Sequence, residues 1–197
     1  MGKIKKITLS LFVMGLITAK AQNKDAVKIA QTEKEFARLS VETNTRNAFL
    51  KYFADGIIFF RRGEIVDGKQ LWEKRKVDSS ELFWYPAYVD IAGSNNIGLS
   101  TGPVHYKVSR KNKGADNYGY YASVWKKMEN GNWKVIVDLG ISDLLPLPKN
   151  NPLVYSKIKG NALKNADTNK IKKQVIGLEN KFIKNYATKG NIAYSNL

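Results

Sequence analysis

One pair of predicted strands carries the side chains best suited to chemistry. Asn130-Gly131 is typical of a tight hairpin turn, and a two-residue loop places Ser123 opposite Asp138. Because side chains alternate along a strand, Asp138 then shares a face with Tyr121, Ser123 and Trp125. A carboxylate among aromatic rings has a raised pKa and is a candidate catalytic general base. The alternative is an Asp held by basic side chains or backbone donors at the rim of the sheet.

The opposite face of this hairpin is apolar as well. The same loop pairs Trp125 with Ile136 and places Trp133 and Val135 on the face away from Asp138. A sheet that is apolar on both faces must be covered twice, by helices on one side and by something else on the other. A second copy of the chain is the expected cover, which predicts a homodimer formed through the sheet.

Further candidate ligand-binding residues lie elsewhere on the strands. Arg61 follows an apolar strand, where it would bind a carboxylate or phosphate at a pocket mouth or serve as surface charge beside a turn. Asp90 ends an alternating strand, where closing the next turn is its alternative role. The strands are also dense in aromatic residues, which would line a pocket for a ring-shaped or acyl ligand, or form a core and dimer face. The lining candidates are Trp84, Tyr106, Tyr121 and Trp125.

Helices followed by long strands must position these residues. Apolar spacing and chain breakers such as Asp55-Gly56 predict three helices, Asp25–Thr43, Arg46–Phe53 and Gly68–Val77. An apolar run predicts a short strand, Ile57–Phe60, and alternation and turn residues predict four long strands, Leu82–Ala92, Ile97–Arg110, Tyr118–Glu129 and Trp133–Ile141. This order predicts an α+β fold, in which a curled antiparallel sheet packs against three N-terminal helices.

Short motifs over about residues 26–143 carry a family resemblance. They include Ala48-Phe49-Leu50, Trp84-Tyr85-Pro86, Thr101-Gly102-Pro103, Tyr118-Gly119-Tyr120-Tyr121 and Val124-Trp125-Lys126. In this order and spacing the chain resembles the SnoaL-like, ketosteroid isomerase-like and nuclear transport factor 2-like superfamily, in an exported branch of unassigned function. The resemblance implies a cone-shaped fold with a pocket between sheet and helices, and frequent dimers. It implies no single chemistry, since members include isomerases, cyclases, hydrolases and non-enzymatic adaptors.

Most of the positive charge lies near the ends of the chain. The 197 residues carry a net charge of +16, of which residues 22–148 hold only +4. Lysines near the N-terminus, an apolar run over residues 7–17 and Ala19-Lys20-Ala21 predict a signal peptide, residues 1–21, cleaved between Ala21 and Gln22. The mature protein is therefore expected to be secreted or periplasmic, with no membrane association. Because the domain over residues 22–148 is only mildly basic, nucleic acid is not an expected partner.

The C-terminal residues differ in composition from the domain before them. Residues 149–168 are rich in Lys and Asn and predict a linker, and residues 169–197 predict a helix with an apolar stripe. The segment Glu179–Lys184 resembles Glu33–Arg38 at an offset of 146 residues. Our hypothesis is that this helix is the truncated start of a second cone domain, and a native tail is the alternative.

Composition limits the chemistry. Zero Cys excludes disulfides and thiolate metal sites, and a single His leaves no His-rich site, so no metal is expected. Because the sequence carries no nucleotide-binding motif, no cofactor is expected either. The predicted function is an exported domain that binds a small apolar or anionic ligand in an apolar pocket, with acid/base catalysis of isomerase, lyase or hydrolase type left open. The alternative is a non-catalytic, dimeric interaction or structural module.

Overall fold

The computed structural model describes residues 23–61, 63–143, 152–158 and 167–196. The chain divides into two compact units, Met1–Ile91 with Asn95–Lys157, and Ala92–Ser94 with Ile158–Leu197. The predicted signal peptide and its cleavage position lie outside the described residues, as does most of the stretch 144–166.

The described residues of the first unit form three helices, and each begins at a side-chain cap. They are α1 (Lys24–Glu42), α2 (Thr45–Tyr52) and α3 (Gly68–Lys74). Asn23, Asn44 and Asp67 accept hydrogen bonds from backbone N–H groups of the first turns, which satisfies donors that a helix start leaves unpaired. The third helix is shorter than predicted because Arg75 is already extended, with φ −71° and ψ 127°.

In the described part of the chain, eight strands form one curled, mixed sheet. They are β1 (Phe53–Arg61), β2 (Glu64–Asp67), β3 (Glu81–Trp84), β4 (Tyr88–Ile91), β5 (Ile97–Lys107), β6 (Asn117–Lys127), β7 (Trp133–Asp143) and β8 (Val154–Tyr155). Their order is β2-β1-β7-β6-β5-β4-β8, with β3 also paired to β5. The α+β class is confirmed, but the sheet is not wholly antiparallel, because β1 pairs with β7 and β4 with β8 in parallel. Both parallel pairs join strands connected through other elements rather than by a hairpin.

Two breaks in the strands differ from the prediction. The strand expected over Leu82–Ala92 is divided into β3 and β4, because Pro86 between them has no N–H to donate. The backbone here passes close to β5, where a Cβ added at Gly102 would lie 2.1 Å from the Tyr85 carbonyl oxygen. Asp55-Gly56, expected to end the second helix, instead lies inside β1, where Gly56 has φ 70° and the register with β7 shifts.

The hairpin between β6 and β7 has a longer loop than predicted. Of the two turn residues only Gly131 has a positive φ, 80°, whereas a two-residue Asn-Gly turn of type I′ needs two. The Met128 N–H donates to the Asn132 carbonyl at 2.8 Å, so the loop has three residues.

A bulge in β7 offsets the extra loop residue. Trp125 pairs with Val135 and not, as predicted, with Ile136, which is the additional residue of the bulge. Beyond it the predicted pairing of Ser123 with Asp138 is confirmed. The prediction that Val135 and Trp133 lie on the far face from Trp125 is wrong, since all three are buried in one core.

The core of the first unit is aromatic. Phe36 of α1 lies at its centre, with its ring centroid 5.0 Å from that of Phe49 and 4.7 Å from that of Trp84. The segment predicted as a linker, residues 149–168, contributes to this unit, because β8 lies within it and Leu153 and Tyr155 pack against the core. Such packing gives this part of the segment a fixed position that its Lys/Asn-rich composition did not predict.

Over residues 167–196 the second unit forms one long helix. It is α4 (Thr168–Lys189), which begins at the Asp167 cap and is followed by a 3-10 helix, Gly190–Asn196. No residue of α4 is buried. Among the described residues, no helix is both long and apolar enough to cross a membrane.

Candidate functional site

A cavity of about 290 Å³ lies in the first unit, against the inner face of the sheet. At the ~30 Å³ that one water occupies in the liquid, this is room for about ten waters. Most of its wall is apolar, from Phe36, Phe49, Phe59, Trp72, Leu82, Trp84 and Val104. The polar lining residues include Thr45, Arg75, Ser80, Tyr106, Asn117, Tyr121, Ser123 and Asp138. Such a wall suits a small hydrophobic body with a few polar groups.

Asp138 supplies the carboxyl group of this cavity. It lies on β7 directly opposite Ser123 of β6, whose hydroxyl donates to Asp138 Oδ1 at 2.7 Å. The residue is 9% exposed. Burial raises the pKa of Asp138 from 3.8 to about 7, although the hydrogen bonds from Ser123 and the Leu139 backbone oppose the shift. At neutral pH the carboxyl therefore populates both protonation states, which general acid/base chemistry requires.

A second buried carboxyl, Glu33 of α1, was not identified from the sequence. It is completely buried, and its two oxygens accept hydrogen bonds from Trp84 Nε1 at 2.6 Å and Trp125 Nε1 at 2.9 Å. Burial raises the pKa of Glu33 from 4.5 to about 7, and the two indole N–H groups oppose that shift. A signal was present in the sequence, because Glu33 falls on the apolar stripe of α1 between Ile29 and Phe36.

A chain of hydrogen bonds extends from Glu33 to the cavity wall. Ser100 hydrogen-bonds to Glu33, and the Ser100 Oγ lies 3.0 Å from the Tyr121 hydroxyl. Burial raises the pKa of Tyr121 well above its usual value of 10, so its hydroxyl keeps its proton across the physiological range. Glu33 thus fixes Trp84 directly and Tyr121 through Ser100, although it does not line the cavity itself.

The structure brings together five of the eight residues predicted for the site. Those that line the cavity are Trp84, Tyr106, Tyr121, Ser123 and Asp138. Trp125 is fully buried in the core, where it holds Glu33. Arg61 is exposed at the end of β1 and lies outside the cavity lining, and Arg62 is outside the described residues. Asp90 is half-buried on β4, also outside the lining, and accepts a hydrogen bond from the Ile91 N–H at 2.7 Å.

Two lining residues near the end of α3 were missed as site candidates. Arg75 is exposed, and its guanidinium lies over the Trp72 ring at 4.7 Å from the centroid. Trp72 is buried, and within the described part of the chain its Nε1 has no hydrogen-bond partner. Sequence reasoning assigned this region only to a helix, because nothing in its pattern showed that the chain turns back over the sheet.

The described residues contain no cluster suited to a metal ion. No group of three or more His, Cys, Asp or Glu side chains comes together among them. Asp138 and Glu33 are held by neutral donors, the Ser123 hydroxyl and two indoles, which is an environment for a protonatable carboxyl. The chemistry that this arrangement supports is proton transfer.

No protein-family model and no curated protein matches this sequence. Several solved structures are similar to it. One is an NTF2-like protein from Cytophaga hutchinsonii, 20% identical, with 62% of this chain and 100% of that chain covered and a TM-score of 0.44. Another is an NTF2-like superfamily protein from Salmonella enterica, 14% identical, with 60% and 90% covered and a TM-score of 0.46. A third, from Nostoc punctiforme, has a cystatin-like fold, 15% identity, coverage of 60% and 90%, and a TM-score of 0.46.

The similar structures include members of the superfamily that the sequence motifs resemble. At these identities, and with every one of these TM-scores below 0.5, no activity is transferred to this chain. Its chemistry has to be argued from its own cavity.

Proposed function

We propose that this protein binds a small molecule with an apolar body in the cavity, and that Asp138 exchanges a proton with it. One observation carries the proposal, which is a carboxyl group with a pKa of about 7 on the wall of a largely apolar cavity of about 290 Å³. Glu33, the other buried carboxyl, lies outside the cavity lining, and both of its oxygens are held by indole N–H groups. Asp138 instead has a single side-chain partner among the described residues, the Ser123 hydroxyl.

The proposed chemistry follows from the two protonation states of Asp138. Deprotonated, it removes a proton from a bound substrate, and protonated it returns one or donates to a carbonyl oxygen. Ser123 keeps the carboxyl in one orientation through its 2.7 Å hydrogen bond. This scheme fits an isomerase, lyase or hydrolase. The proposal includes the cone-shaped arrangement of sheet and three helices around the pocket, and export directed by residues 1–21.

A cavity-filling variant tests the binding. Val104 is half-buried on the cavity wall, so Val104→Trp should occupy the space of the ligand. Native mass spectrometry of the full chain should reveal a co-purifying small molecule in the wild type and none in Val104→Trp. Val66→Trp is the matched control, because Val66 is half-buried on β2 outside the lining. A molecule retained by Val104→Trp would contradict the proposal.

Proton exchange requires its own test once a ligand is in hand. Asp138→Asn keeps the shape of the side chain and removes its titration. We expect it to bind the ligand while losing about 100-fold or more in turnover, the scale of general acid/base catalysis. Unchanged turnover would leave the cavity as a binding site and remove Asp138 from the chemistry.

One observation favours a second function, that of a dimeric interaction module. Apolar side chains are exposed along the neighbouring strands β1 and β7, with Ile58 39%, Phe60 45%, Leu139 40% and Ile141 68% exposed, and Leu139 and Ile141 also border the cavity. Contiguous apolar surface of this kind is typical of an interface, and we propose a homodimer through this surface. In analytical ultracentrifugation the wild type should sediment as a dimer and Phe60→Lys, a change outside the cavity lining, as a monomer. A wild type that stays monomeric at high concentration would rule this interface out.

A further inference from the structure

Charge is distributed unevenly around the cavity. Among the described lining residues, Arg75 is the one permanent cation and Asp138 the one carboxyl. The two differ in exposure, because Asp138 is 9% exposed whereas the side chain of Arg75 is 41% exposed. The cavity therefore has a buried, protonatable side chain in its wall and a fixed positive charge at its rim.

The surroundings of Arg75 reinforce this positive rim. A small hollow shares Thr45, Arg75 and Ser80 with the cavity. Arg46 and Lys76 also line it, against the single carboxylate of Asp78. Three cations against one anion make the rim attractive to a negatively charged group.

The guanidinium of Arg75 has donors to spare. Its one hydrogen bond among the described residues is to Asp78 Oδ2, at 3.5 Å the limit of a hydrogen bond. The other oxygen of Asp78 is engaged by Ser80, which donates its backbone N–H at 3.0 Å and its hydroxyl. A guanidinium carries five N–H donors in a planar fork, so Arg75 retains enough of them for a bidentate contact with a carboxylate. Its position over the Trp72 ring limits its freedom before any ligand arrives.

We propose that the ligand of this cavity is a compact aromatic or alicyclic carboxylate, whose anionic group is bound by Arg75 at the rim while its ring lies against the apolar wall. This inference rests on the proposed ligand-binding function and gives it a substrate class. It also moves the anion-binding role predicted for Arg61, which lies outside the cavity, to Arg75. Space for about ten waters limits the ligand to one or two rings.

The test compares carboxylates with neutral molecules of equal shape. The probes are two matched pairs, 3-phenylpropionate with 3-phenylpropanamide and 1-naphthylacetate with 1-naphthylacetamide. Dissociation constants come from calorimetry on the full chain, with quenching of tryptophan fluorescence as a second readout. In the wild type we expect at least one carboxylate to bind about tenfold more tightly than its amide. Added salt should weaken only the carboxylate.

Two variants locate the preference. Arg75→Gln should bring the carboxylate to the affinity of its amide and leave the amide unchanged. Lys74→Gln, one residue earlier on the exposed end of α3 and outside the lining, is the matched control and should keep the preference. Urea unfolding of each variant confirms that it is folded as stably as the wild type.

The outcomes separate this inference from the function on which it rests. If amides bind as well as carboxylates, or if Arg75→Gln keeps the preference, the carboxylate assignment is wrong while the cavity remains a binding site. If no probe of either kind binds, or if Val104→Trp binds them as the wild type does, the proposed function fails and the inference fails with it.

Discussion

Two helices of this chain have related sequences and opposite surroundings. The segment Glu33–Arg38 of α1 and the segment Glu179–Lys184 of α4 share Glu, Phe and basic residues at the same spacing. In α1 the Glu and Phe are 0% and 1% exposed, within the aromatic core. In α4 no residue is buried, and Ile183 is 60% exposed.

This comparison shows what a helical pattern does and does not determine. An amphipathic stripe specifies which residues share a face, but the energy of that face comes from what packs against it. In α1 the carboxyl of Glu33 accepts hydrogen bonds from Trp84 and Trp125 and is a buried hydrogen-bond acceptor. The corresponding glutamate of α4, Glu179, is exposed.

The largest expected difference in the free energy of unfolding is between alanine variants of Phe36 in α1 and Phe182 in α4. Phe36→Ala removes a ring whose centroid lies 4.7–6.4 Å from those of five other aromatic residues, and should lower the free energy of unfolding by about 3–5 kcal/mol. Phe182→Ala should cost less than about 1 kcal/mol, because Phe182 is only half-buried. Urea titration of both variants measures the difference. Equal losses would mean that α4 is packed as firmly as α1.

The second largest expected difference is in the pH dependence of stability, to which Glu33 of α1 should contribute and Glu179 of α4 should not. The folded-state pKa values of Glu33 and Asp138, both about 7, lie above their usual 4.5 and 3.8, so the folded protein holds protons that the unfolded chain releases. Stability should therefore fall as the pH rises from about 4 to 7 and then level off. Between pH 5 and 8 we expect a loss of roughly 5 kcal/mol from the two groups together.

Single amide substitutions assign this pH dependence. Glu33→Gln should remove about half of it, since an amide does not titrate, and Glu179→Gln should leave the wild-type profile because Glu179 is exposed. Free energies of unfolding at a series of pH values give the profiles. A wild-type stability that is flat from pH 5 to 8 would mean that neither buried carboxyl holds its proton as proposed.

The smallest expected effect is the loss of stability on removing β8 together with the residues that follow it. Removing residues 150–197 takes away β8, with Leu153 and Tyr155 against the core, and should cost roughly 1–2 kcal/mol more than removing residues 159–197. Thermal unfolding should place the shorter protein about 3–6 °C below the longer one. Two truncations of equal stability would show that β8 adds nothing.

The sequence predicted the elements better than their connections. Apolar spacing located α1 and α2 to within one residue at each end, since this signal is local. The pairing of Ser123 with Asp138 also followed from local alternation. The parallel pairing of β1 and the strand β8 depend on contacts distant in sequence, which periodicity does not encode.

The site was predicted where chemistry and alternation coincide, and missed where they do not. Asp138 was identified because a carboxylate interrupts an apolar strand. Glu33 carried the same kind of signal on a helix, but its two indole partners lie 51 and 92 residues away. Arg75 enters the lining only through the path of the chain after α3, which no local pattern predicted.

The bulge at Ile136 divides the β6–β7 hairpin into a turn end and a far end. The register of the far end does not depend on the length of the turn alone. Trp133 and Val135 lie before it and Asp138 after it, and all three face inward only because one additional residue restores the alternation. Deleting one residue from the loop or from the bulge alone would exchange core and surface over half of β7. Paired insertions or deletions on the turn side of the bulge would leave Asp138 where it is. The turn end of this hairpin should therefore accept substitutions or an inserted segment without a change in the cavity.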